Sequence, residues 1–105
     1  MTDIINSNYP SMCIPRVFEN IRERDIRKVF DNLNLGQIDR IDIINRTTDR
    51  CENYKRVFIH FKRWYNNDEA SFARQRLIEG KDIKVVYDRP WFWKISASRW
   101  NKDNV

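Results

Sequence analysis

Tyr54-Lys55-Arg56-Val57-Phe58-Ile59-His60-Phe61 alternates a charged or aromatic residue with an aliphatic one through its centre. Period two is the signature of a strand with one face in a core and the other left open. Val57, Ile59 and Phe61 are assigned to the core. Arg56, Phe58 and His60 then share the opposite face. A sheet surface that combines a ring, a guanidinium and an imidazole can stack bases and attract phosphates together.

The segments on either side complete a fold. Met12 to Phe18 reads as a first strand, with Pro15 placing it at an edge or a bulge. From Glu23 to Leu33, Ile26, Val29, Phe30 and Leu33 recur at the spacing of an amphipathic helix. Leu35-Gly36 is expected to stop it, with Gly36 in left-handed geometry. Gln37 to Asn45 is a second strand with Ile38, Ile41 and Ile43 inward, and Arg46 to Asn53 is a polar loop. After the Arg56–Phe61 strand, Asn67-Asp68-Glu69 supplies a cap and an acidic first turn for a second helix. Its inward residues are Ala70, Ala73, Leu77 and Ile78, and it ends at Gly80. Ile83 to Tyr87 is the last strand expected.

The order β-α-β-β-α-β is that of an α+β ferredoxin-like sandwich, a four-stranded antiparallel sheet with two helices on one face. The chain is expected to divide into a flexible lead-in (1–11), this domain (12–88), and an aromatic and basic extension (89–105).

The chain of 105 residues is long enough for one core, and 41% hydrophobic with 13% aromatic content argues for a folded domain. The net charge of +5 favours an anionic partner. Cys13 and Cys51 have no CxxC spacing and no histidine cluster near them, so no metal is expected and both read as ordinary thiols. With no secretory core and no long apolar run, the expected location is intracellular: cytoplasm, nucleus or a viral particle. No membrane partner is expected.

From about Cys13 to Tyr87 the chain resembles the RNA recognition motif (RRM). The likeness is carried by Lys55 to Phe61, by Ile26-Arg27-Lys28-Val29-Phe30 leading to Leu35-Gly36, and by Ile41-Asp42-Ile43. In that family the third strand exposes two rings. Phe58 stands at one of these positions, while Arg56 stands at the other and Lys55 where a glycine is usual. Phe18 stands outward in only one of two registers of the first strand. The segment Val85 to Lys94, with Phe58-Ile59-His60-Phe61 and Trp64, also resembles small RRM-like proteins of large DNA viruses.

The resemblance and the face pattern imply a non-catalytic domain that binds single-stranded nucleic acid, RNA ahead of DNA, without a cofactor. Phe58 would stack a base and Arg56 would stack or clamp a phosphate, surrounded by His60, Arg40, Lys84 and Arg16. Trp91, Trp93 and Lys94 are candidate contacts from the extension. That extension has two other readings: a cover across the sheet or an extension of the core, and an anchor for a protein partner. The alternative function is accordingly a protein-interaction module whose sheet face is occluded or reassigned, as in a viral assembly. Catalysis is disfavoured, because Phe18 to Arg24 has no glycine for an anion loop and Asp39, Asp42 and Asp82 show no spacing that would converge them on a metal.

Overall fold

The computed structural model describes residues 7–98. Its elements are β1 (Met12–Phe18), α1 (Glu23–Leu33), β2 (Gly36–Thr47), β3 (Asn53–Trp64), α2 (Asp68–Ile78), β4 (Ile83–Asp88) and β5 (Trp91–Ala97). The five strands form one antiparallel sheet in the order β2-β3-β1-β5-β4.

This corrects the expected four-stranded ferredoxin-like layout. In a split βαβ arrangement the strand after α2 docks beside β1. Here that place belongs to β5, and β4 lies outside it. The cause is the Arg89-Pro90 turn. It folds β5 back on β4, pairing Val85 with Trp93 and Ile83 with Ile95. Trp93-Lys94-Ile95 then continues the period-two rule, with Trp93 and Ile95 buried and Lys94 exposed. The segment Trp91 to Ala97 is therefore a sheet strand, and it does not lie across the sheet.

One face of the sheet carries the core. Met12, Ile14 and Val17 of β1 meet Val57, Ile59 and Phe61 of β3, and both helices cover them through Ile26, Phe30, Ala70, Ala73 and Leu77. β1 keeps its apolar side inward by means of a bulge. Ile14 is opposite Val57 and Val17 is opposite Lys55, so β1 spends one extra residue in Pro15-Arg16. That is how a central strand accommodates a proline, which has no N–H for the ladder. A register shift near Asp39 does the same for β2, bringing both Ile38 and Ile41 to the core side.

The helix ends follow local chemistry. Asp25 accepts a hydrogen bond from the Arg22 backbone N–H at 2.9 Å, and Asn67 accepts one from the Ala70 N–H at 2.7 Å. Gly80, at φ +81°, follows α2 as expected. The expected stop at Gly36 is corrected: Asn34 takes the left-handed position, at φ 57°. Asn accepts that geometry more readily than most residues because a short polar side chain can bond to nearby backbone. Gly36 serves close packing instead, since a Cβ there would sit 2.6 Å from the Arg63 carbonyl oxygen. The polar loop is also shorter than expected, because β2 and β3 pair out to Thr47 and Asn53.

Candidate nucleic-acid interface

The helix-free face is read from the ladder. Residues opposite each other on antiparallel strands share a face. Phe58 lies between Cys13 of β1 and Asp42 of β2. Arg56 faces Ile44, and His60 faces Arg40. Tyr54 faces Arg46 on one side and Phe18 on the other. The β1 bulge selects the outward register for Phe18, which is 52% exposed. Arg16, in the same bulge, places its guanidinium 4.6 Å from the centre of the Tyr54 ring.

Arg56, Phe58, His60, Arg40 and Arg16 are thus brought together on three adjacent strands. Lys84 is not beside them. It lies on β4 at the far edge of the sheet, where its ammonium sits 4.1 Å from the centre of the Phe92 ring. Of the three residues proposed in the extension, Lys94 is exposed and pairs with Asp82 at 3.3 Å. Trp91 is half exposed, and packs edge-on to Phe18 at 5.4 Å. Trp93 is a core residue, 2% exposed, stacked on Tyr87 at 4.3 Å.

Two polar features lie on the open face. Arg56 Nε is buried and makes no hydrogen bond among the described residues. Its positive charge pulls against the burial that pushes the neighbouring Cys13 thiol up from its ordinary 9.0, and burial prevails. The second feature is a relay. Ser11 Oγ is 2.8 Å from His60 Nδ1, and His60 Nε2 is 3.0 Å from Asp42 Oδ2. An ionised carboxylate only accepts, so in the neutral ring Nε2 carries the proton and Nδ1 accepts from the Ser11 hydroxyl. Asp42 also receives Arg40 Nε at 3.3 Å. The relay fixes the plane of the imidazole and joins the first residues of the fold to the sheet.

The Ser11–His60 contact spans 49 positions, and nothing in the local sequence announces it. The Asp42–His60 contact was within reach of reasoning once two paired strands were assigned. Asp42 answers His60 and Arg40, while Arg56 faces Ile44. The order hydroxyl, imidazole, carboxylate is also that of a nucleophile–base set. However, neither cavity described below is lined by any of the three residues. Among the described residues no group of His, Cys, Asp and Glu is arranged to hold a metal ion, and no helix is long and apolar enough to cross a membrane.

Comparison with protein-family models, with curated proteins and with solved structures finds no match for this chain. The likeness to the RRM therefore rests on the residues quoted for it above.

Proposed function

We propose that this protein is a non-catalytic binder of single-stranded nucleic acid, RNA in the first instance, acting through the helix-free face of its sheet. The observation that supports this best is Arg56 beside Phe58 at the middle of that face, with the guanidinium Nε unpartnered. A buried donor without a partner is costly, and a phosphate or base oxygen supplies one. Around it stand Arg16, Arg40 and Tyr54, so cations and rings alternate as a flexible anionic strand requires. Because β5 joins the sheet beside β1, residues 91–97 belong to the sheet itself and widen the helix-free face.

The test is a titration of the full chain with fluorescein-labelled oligouridylate and oligothymidylate across a salt series. Replacing Phe58 and Arg56 together by Ala removes a stacking ring worth about 1–3 kcal/mol and one phosphate contact. Affinity is expected to fall by at least about tenfold and the salt slope to become shallower. Equal affinity of this variant and the unaltered chain would sink the sheet-face reading.

A second reading has its own observation. Between α2 and the β4–β5 hairpin runs a mostly apolar groove of about 610 Å³, lined by Leu33, Leu35, Phe72, Val85 and Phe92 among others. Phe72 is 67% exposed there. An apolar patch of this kind suits a protein partner, and such a partner would leave the oligonucleotide titration flat.

A further inference from the structure

We propose that the cleft between β1 and β5 is a nucleotide subsite, taking one unpaired base and its phosphate from the strand that crosses the sheet face. The inference rests on the nucleic-acid reading above and deepens it by naming a second place of contact. Among the described residues β1 and β5 pair at Met12 with Ala97 and at Cys13 with Ser96, and the Ser98 N–H bonds the Ser11 carbonyl just before β1. Beyond those pairs the Pro15-Arg16 bulge bends β1, as an extra residue does to a strand. The two backbones part and leave a cleft of about 360 Å³, near the lower end of small-ligand pockets.

The chemistry of the walls selects the occupant. Phe18, Trp91 and Phe92 offer ring surface, each about half exposed. Arg16 and Lys94 add two cations, and among the described residues no carboxylate lines the cleft. Trp93 also lines it. An apolar peptide side chain would satisfy the rings and bring no charge to Arg16 and Lys94. A nucleotide answers both with a flat π-face and a phosphate. The Lys94 pair with Asp82 is exposed on both sides, so a phosphate competes for that ammonium at little loss. Arg16 connects the two places, lining the cleft while lying over Tyr54 of the sheet face.

Three full-length variants test this against fluorescein-labelled oligouridylate: Trp91→Leu, Phe18→Leu and Lys94→Gln. The leucine variants keep apolar bulk and lose the π-face, and circular dichroism checks that they fold. Each is expected to bind about 5- to 150-fold more weakly, and Lys94→Gln to reduce the salt slope by about one. Irradiating the unaltered chain on 5-iodouridine-substituted strand is expected to cross-link the peptide that carries Trp91. Unchanged affinity in both leucine variants, alongside a loss in the Phe58→Ala, Arg56→Ala double variant, overturns the cleft and leaves the sheet-face reading standing. No binding by the unaltered chain at low salt overturns both.

Discussion

Replacing Trp93 by Ala tests whether the fifth strand belongs to the cooperative fold. Trp93 is 2% exposed, stacked on Tyr87 and parallel to Phe30 at 6.3 Å. A tryptophan buried this fully removes about 200 Å² from water. At about 25 cal/mol per Å², that is roughly 5 kcal/mol of apolar burial. Its indole N–H has no partner among the described residues, an opposing term of about 1–3 kcal/mol that Ala also removes. The net loss expected is therefore about 2–4 kcal/mol, a large share of the roughly 5–15 kcal/mol that holds a domain together. In urea, with a slope of about 1.5 kcal/mol per M, the midpoint should move down by about 1–3 M. Trp93→Phe keeps an aromatic ring and discards the orphan donor, so its loss should stay below about 2 kcal/mol. An unchanged midpoint in Trp93→Ala would mean that β5 is not part of the unit that unfolds, and the five-stranded sheet would be refuted.

Two other consequences follow from local geometry. Gly36→Ala drives a methyl to within 2.6 Å of the Arg63 carbonyl oxygen, a backbone atom, and should lower stability by about 1–3 kcal/mol in the same urea assay; no change would mean that β2 and β3 do not approach there. Burial raises Cys13 above its ordinary 9.0 and Tyr87 above its ordinary 10.0, Asp88 adding to the latter. Both groups bind their protons more tightly folded than unfolded, so stability is full below pH 9.0 and is lost as pH climbs through and above it. Cys13→Ala should flatten the first part of that decline in urea midpoints taken between about pH 8 and 10; an equally steep decline would refute the assignment to the thiol.

Much of the fold was legible because local and global preferences agree. The spacing of Ile26, Phe30 and Leu33 gave the bounds of α1, and Asn67 gave the start of α2. Gly36 was misjudged because its sequence position suits a helix stop as well as a tight packing contact, and only the neighbouring strand distinguishes the two. β5 was missed for a different reason. Arg89-Pro90 suggested an ending, and a run of three aromatic residues conceals an alternation that becomes plain only with Ile95 and Ser96 included. At the candidate site, Arg56, Phe58 and His60 were readable from the period of a single strand. Their neighbours were harder, because bulges in β1 and near Asp39 in β2 decide which residues turn outward. Lys84 was assigned beside them from alternation alone; the strand order separates it from β3 by two strands.

The pairing of Met12 with Ala97 joins the first strand of the sheet to the last. A growing chain emerging from a ribosome can form the β2–β3 hairpin early, since those strands are joined by a short loop. It cannot close the sheet until Trp91 to Ala97 has been made. Until then β1 presents an unpaired edge and the place of Trp93 in the core stands open. Such a partly built sheet invites a neighbour's strand, so this topology makes the synthesis of β5 the event that protects the sheet from copies of itself.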